Sequence, residues 1–446
     1  MRELRVYVDA TLVGTLQEDN NIWSFTYAPS WLAAPEGFDL SPALFRTAAT
    51  HLDGSSVRSV QWYFDNLLPE ENLRLDVARE AGIADVQDAF SLLAYLGAES
   101  TGALTLLPPG APLPNTRTAT ALSPEQLSAR IAELPRQTLT RQAPKRMSIA
   151  GAQHKLLVVL LEDKLYEPEG ATPSTHILKP DHPLAQTYPA SAFNEYVTMR
   201  LAKAARLNVP DVRLFYVPQP VYCIDRFDRP AEKTARSATL GEQLQAIRRL
   251  HVIDACQLLN KDRLFKHAGA SLESLARIIE ATTNKAQSRL SLFRWLVFNV
   301  LVGNDDAHLK NLSFFVSHEG IRLAPHYDLL CTGAYHTKAI ADSDALWAAV
   351  PMTFELPGGV RTFGEVTRNA LIAAGAVLGV PSRPASSIIH EVVTRVESAF
   401  ADILVERRAF REQADARLSS YVAMEDRLLR VIEHVTLKDM LVRLRT

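Results

Sequence analysis

The run Asn304-Asp305-Asp306-Ala307-His308-Leu309-Lys310-Asn311, followed by Tyr327-Asp328, decides how this chain is read. It is a polar knot between two apolar segments, Leu292 to Val302 before it and Leu312 to Val316 after it, and packing does not explain it. Asp306 and Asn311 stand five positions apart, the interval that a kinase catalytic loop keeps between its base and its metal-binding amide. Asp328 falls where such a site needs a second metal ligand. Asp306 would accept the proton of a hydroxyl while Lys310 stabilises the transferring phosphoryl group. Asp305 is the rival base by adjacency, and the five-residue interval favours Asp306. Asp306 with His308 would also suit a metal hydrolase, with His326 as the nearby further histidine; no second histidine cluster supports that reading.

Working outward, the elements come in the order expected of an α+β protein. Arg2 to Ala10 reads as a strand, Thr11 to Gly14 as a turn, and Trp23 to Tyr27 as a second strand with alternate aromatics. The aromatic stripe Trp23, Phe25 and Tyr27 would suit base stacking but fits hairpin packing better. Ser41 to Leu52 and Asn72 to Leu96 carry helical spacing. Four prolines and a glycine between Leu106 and Pro114 mark a linker. Ser123-Pro124-Glu125-Gln126 carries a helix start, with serine as cap. Leu156 to Leu161 and Thr175 to Lys179 read as strands, Ala192 to Leu207 as a helix, and Val212 to Val217 with Val221 to Phe227 as two further strands. From Leu244 onward the pattern is mainly helical, broken by the polar knot and by small residues from Cys331 to Gly359; Arg383 to Thr446 suits a helical bundle.

Bulk properties narrow the class. The 446 residues, 47% hydrophobic and 22% charged with a net charge of -2, suit a soluble globular chain without a global basic field. Its three cysteines form no CxxC pair, which argues against a zinc framework or a disulfide scaffold. No leader-like or membrane-spanning apolar run is evident, so the expected setting is cytoplasmic, with no membrane partner.

Phosphoryl transfer also needs a phosphate cradle and a cation paired to it. Ser148-Ile149-Ala150-Gly151-Ala152-Gln153-His154-Lys155 is a small-residue loop before a strand, through which backbone N–H groups approach phosphate oxygens. Lys179 ends a strand and suits the paired cation, and Glu195 on the next helix suits its orienting partner.

Together these blocks resemble the HipA family, the serine/threonine kinase toxins of bacterial HipBA toxin–antitoxin modules. The resemblance spans nearly the whole chain. It rests on Phe64-Asp65-Asn66-Leu67-Leu68-Pro69-Glu70, on the Ser148 to Gln153 loop, on Ile177-Leu178-Lys179-Pro180, Asn194-Glu195-Tyr196 and Arg226-Phe227-Asp228-Arg229, and on Asp306 to Asn311 and Pro325-His326-Tyr327-Asp328, in that order.

The resemblance implies an atypical protein-kinase-like, two-lobed α+β fold: an N-terminal HipA-type subdomain over residues 1–108, a β-rich nucleotide-binding lobe over 109–240, and a helical catalytic lobe with a C-terminal bundle over 241–446. It implies ATP and Mg2+ as cofactors. Asp306 becomes the catalytic base, with Lys310 beside it, and Asn311 and Asp328 go to the metal. The ATP contacts it implies are Ala150, Gly151, Ala152, Gln153, His154, Lys155, Lys179, Asp225, Arg226, Phe227, Gln257, His308, Lys310, Asn311, Tyr327 and Asp328. Ser148 becomes an autophosphorylation site that switches the kinase off. The partners it implies are a HipB-like helix-turn-helix antitoxin and an aminoacyl-tRNA synthetase substrate, glutamyl-tRNA synthetase above all. No lysine-rich run lies between Pro351 and Val366, so operator DNA is expected to be met mainly through the antitoxin. The alternatives are a catalytically weak corepressor and a small-molecule or lipid kinase on the same fold.

Overall fold

The computed structural model describes residues 1–148, 150–232, 238–340 and 346–445. Contacts divide the chain into two compact units. The first comprises Met1–Leu178, Asp225–Lys266 and Ser313–Ala324; the second comprises Lys179–Ile224, His267–Leu312 and Pro325–Thr446.

The first unit begins with a five-stranded antiparallel sheet. Its strands are β1 (Arg2–Val8), β2 (Thr11–Asp19), β3 (Ile22–Tyr27), β4 (Thr50–Leu52) and β5 (Leu104–Leu107), in the order β4-β3-β2-β1-β5. Trp23, Phe25 and Tyr27 all turn inward and are buried, so the aromatic stripe is core rather than a stacking platform. Two sequence expectations fail here. Thr11 to Gly14 lies inside β2, because Asp9 at φ 50° makes the reversal two residues earlier. Ser41 to Leu52 forms no helix. Its backbone bends around the Tyr27 hydroxyl, which donates to the Leu44 carbonyl and accepts the Leu40 N–H at 3.0 Å. A tertiary hydrogen bond outweighs the local spacing. Asn72 to Leu96 forms two helices, Glu71–Ala81 and Ala89–Leu96, interrupted at Gly82 in the left-handed region at φ 68°.

Ser123 caps the next helix, Pro124–Ala132, through a reciprocal box with Gln126, as its sequence predicts. One strand, β6 (Arg117–Ala121), precedes that helix, and three follow it: β7 (Leu156–Leu161), β8 (Lys164–Gly170) and β9 (His176–Pro180), with β7 lying between β8 and β9. The chain leaves the first unit inside β9, between Leu178 and Lys179. The mainly helical reading beyond Leu244 holds, with an addition the sequence did not show. A small antiparallel sheet forms there from β10 (Val252–Asp254), β11 (Ser313–Ser317) and β12 (Gly320–Leu323). Phe314 and Val316 of the apolar run alternate as buried strand residues, which a short run alone does not distinguish from helix.

The second unit is dominated by helices. Ser191–Ala204 follows β9 and is buried along most of its length. A hairpin pairs Val212–Tyr216 with Pro220–Asp225 through Ile224. The helix Lys285–Val302 buries its C-terminal two-thirds, including Trp295 and Phe298, and ends at Gly303 in the left-handed conformation, φ 67°. The tail forms the long helix Ser382–Gln413 and then Ser419–Val431 and Lys438–Arg445. Arg407 ties the tail together by bonding Glu425 and Asp426, each at 2.7 Å. Among the described residues no helix is long and apolar enough to cross a membrane, and all three cysteines are buried free thiols.

Candidate active site

In the second unit the polar knot is held from both sides. Gly303 stops the preceding helix by folding its N–H back onto Asn299 and Val300. Asn304 then donates to the Asn299 side chain at 2.7 Å and accepts the Asp306 N–H at 3.1 Å. Leu309–Asn311 closes as a short 3₁₀ turn, and the Asn311 amide donates to the Asp306 carbonyl at 2.8 Å. Tyr327 reaches the same loop, its hydroxyl donating to the Lys310 carbonyl at 2.9 Å.

The two neighbouring aspartates differ sharply. Asp305 is tethered at three points: its N–H to Thr332, its carbonyl to Thr353 and its carboxylate to His336 at 3.0 Å. The Asp306 carboxylate is half exposed, 53%, and lies 3.7 Å from His267 and 3.8 Å from His308. Asp305 is built into the frame of the loop, whereas Asp306 presents its carboxylate to solvent.

Lys179 lies at the end of β9 and bonds Glu195 of the following helix at 2.8 and 3.0 Å. It also bonds Asp328 at 2.6 Å. Burial opposes the lysine's charge, but the Asp328 and Glu195 carboxylates override it and hold the ammonium pKa above its usual value. The Tyr222 ring lies 5.9 Å from the same ammonium. Asp328 adopts φ 58°, a left-handed conformation uncommon outside glycine; such outliers cluster at functional sites.

The first unit holds the other predicted residues. Ser148 is buried, its hydroxyl donating to the Leu67 carbonyl at 2.6 Å and its N–H to the Glu99 carbonyl at 2.7 Å. The loop after it bridges Pro69 through Gly151, which sits at φ 108° and could not take a side chain without strain. Ala150 and Lys155 are joined by a 2.7 Å bond from the ammonium to the carbonyl. Ala152 and Gln153 are half-buried, and His154 is buried, which lowers its pKa. Ile149 lies outside the described residues.

The block Asp225 to Phe227 is occupied differently from the expectation. Arg226 is fully engaged, bonding Asp228 at 3.0 and 2.8 Å and Glu99 at 3.2 Å. Asp225 pairs with His176 at 3.0 Å, and Phe227 packs edge-on against Phe315. The Gln257 side chain caps at Asp254 and donates to the Tyr63 carbonyl at 2.8 Å.

Two features escaped the sequence. His267, thirty-nine positions before Asp306, carries no motif signal, yet its ring meets His308 edge-on at 4.7 Å. His326, the histidine the sequence offered instead, is buried, stacked on Trp295 and depressed by burial to a pKa of about 4. It is a neutral core residue.

A strand-end lysine paired to a helix glutamate, beside an aspartate-bearing loop, is the apparatus of a kinase-type phosphotransferase. Residues 4–107 match the HipA N-terminal domain and residues 147–400 the HipA-like C-terminal domain. The chain is 30% identical over 432 residues to a putative kinase of Sinorhizobium fredii, covering 93% of this chain and 97% of that one. It is 28% identical over 424 residues to the serine/threonine-protein kinase toxin HipA of Shewanella oneidensis, covering 90% and 89%. The structure of Shewanella oneidensis HipA with HipB and its operator DNA superposes with a TM-score of 0.75 at 25% identity, over 99% of both chains. The chain belongs to the HipA family, and its α+β fold is that of a HipA-type kinase.

Proposed function

We propose that this chain is an ATP- and Mg2+-dependent serine/threonine kinase acting as the toxin of a HipBA-type module. The observation that carries the reading is the Lys179–Glu195–Asp328 constellation beside the loop that presents Asp306. In it Lys179 pairs with nucleotide phosphates, held by Glu195. Asn311 and Asp328 supply hard oxygen donors of the kind Mg2+ prefers, and the ion, when bound, neutralises charge on the phosphates. Asp306 takes the proton of the attacking hydroxyl; the exposure of its carboxylate and the tethering of Asp305 favour it over its neighbour. The new bond forms from that hydroxyl oxygen to the γ-phosphorus, and ADP leaves. Lys310, with His308 and Tyr327 around it, stabilises the transferring group.

The loop from Ala150 to Lys155 covers the phosphates in this reading, and the backbone and ring surface at Asp225 to Phe227, near Gln257, meets the base. Ser148 is the regulatory phosphosite. Its hydroxyl now donates to a carbonyl from a buried position, and a phosphoserine would add roughly two negative charges with no proton to donate. The docked loop could not hold that group and would leave its place.

A HipB-like antitoxin restrains the toxin and contacts operator DNA, as the Shewanella complex suggests by its composition. The favoured substrate is an aminoacyl-tRNA synthetase, glutamyl-tRNA synthetase first. Expression without antitoxin, with phosphoproteomics of wild type against Asp306→Ala, tests the reading. Growth arrest with Ser148 and a synthetase labelled only by wild type is expected. Repression without arrest would favour a corepressor, and label on a metabolite alone would favour a small-molecule kinase.

A further inference from the structure

The second unit brings together His267, Asp306 and His308, with one ligand atom from each lying within 4.8 Å of the others. We propose that these three side chains form an inhibitory site for a borderline-soft divalent cation such as Zn2+, distinct from the Mg2+ position assigned to Asn311 and Asp328. Two imidazole nitrogens and a carboxylate oxygen are the donors Zn2+ favours, whereas Mg2+ prefers a shell of oxygens. Around tetrahedral zinc, ligand atoms lie roughly 3.3 Å apart, given metal–ligand bonds of about 2.0–2.1 Å. The observed 3.7 Å and 3.8 Å separations from Asp306 Oδ1 to the two histidines need only small rotations to reach that spacing.

The frame supports those rotations. His308 sits on the turn whose N–H groups bond back to Asp306 and His308 themselves, so Asp306 and His308 are held on one rigid element. His267 and Asp306 are half exposed, which gives an ion a route in. Three protein ligands leave a fourth position for water, the arrangement of an exchangeable rather than a structural site. An ion held there occupies the carboxylate that takes the hydroxyl proton, so phosphotransfer stops. That consequence rests on the proposed role of Asp306; the binding itself does not.

The two parts are tested separately on the full chain freed of metal by chelation. Co2+, a spectroscopic stand-in for Zn2+, is titrated by its visible ligand-field absorption, and Zn2+ by calorimetry. A single equivalent should bind wild type, and His267→Ala should weaken binding by at least about tenfold, the scale at which even outer partners of metal ligands count. His267→Ala should melt with wild type, because its ring is half exposed. Equal binding by both proteins overturns the site. Phosphotransfer is then assayed with excess Mg2+ and rising Zn2+. Inhibition of wild type that is relieved in His267→Ala is expected, and equal inhibition of both overturns the regulatory role. A protein that binds Co2+ through His267 but never transfers phosphate keeps the site and defeats the kinase reading.

Discussion

Each unit contains a buried ionic network, and the two are built for opposite ends. In the first unit Glu99 bonds Lys145 at 2.9 Å, Arg226 at 3.2 Å and Arg229 at 3.3 Å, while Asp228 holds both arginines. Every one of these side chains is buried. Burial raises the pKa of Glu99, but Lys145, Arg229 and Arg226 outweigh it and hold the carboxyl far below its ordinary range. Burial also pulls Arg229 down to about 10. The charges answer one another and face no solvent. In the second unit Lys179 and Glu195 are buried, but their third partner, Asp328, has a side chain 32% exposed and a left-handed backbone. A closed network fixes a conformation; an open one keeps a carboxylate at the edge of solvent. Both are charged clusters in a HipA-type fold, and only their closure tells them apart.

The open network should answer in activity. Asp306→Ala should lower phosphotransfer by about 10²–10⁴-fold, the range for a general base, with unfolding by urea unchanged because the carboxylate is exposed. A residual rate near wild type would return the role to Asp305. Lys179→Met should also abolish transfer, and it should destabilise the fold because Glu195 is left buried with its partner gone. A Lys179→Met protein that retains transfer would show the open network to be structural after all.

The closed end should answer in stability. Glu99→Ala leaves buried cations without their shared carboxylate, and the loss should be about 3–5 kcal/mol in chemical denaturation. Phosphotransfer per folded molecule should persist. A Glu99→Ala protein as stable as wild type would mean the network contributes nothing net.

Two histidines sharpen the contrast by titrating in opposite directions. His251, in the first unit, is driven down to about 4 by burial. Its unfolded counterpart titrates near 6.5, so between those values the unfolded chain takes up a proton that the folded chain refuses. Stability should therefore fall as pH drops from about 6.5 towards 4, by at most about 3 kcal/mol, and His251→Gln should flatten that slope. His336, in the second unit, is raised above its ordinary value by its bond to Asp305, against a smaller opposing effect of burial. Its contribution is complete below the unfolded pKa near 6.5 and lost as pH rises through the higher folded value. Denaturation midpoints of wild type should decline slightly over that rise, and those of His336→Gln should not. This is the smallest effect, since the pair is partly solvated.

Much of the candidate site was legible because the residues proposed for it stand at short spacings. The Asp306 to Asn311 interval, the strand-end Lys179 and the cap at Ser123 depend on local backbone geometry, which neighbouring residues specify. Arg226 was harder. Its block suggested a nucleotide contact, yet its guanidinium is spent on Glu99 and Asp228, and Glu99 lies 127 residues away. No local pattern reports which of many acids a buried arginine will meet. The helical spacing of Ser41 to Leu52 failed for the same reason, overruled by one hydroxyl on Tyr27.

By itself, then, the sequence determined the kind of protein this is: an ordered series of family blocks, a kinase-like spacing in the polar knot, and residue types suited to phosphates and hard metal ions. Spacing and resemblance pointed to Asp306 over Asp305; tertiary structure added the difference in surroundings, tethering Asp305 at three points and exposing Asp306. It alone brought His267 to Asp306 and His308 and sent His326 into the core. Short-range sterics and hydrogen bonding are written in consecutive residues. Desolvation and the pairing of charges depend on what arrives from distant parts of the chain, and only the folded state supplies that.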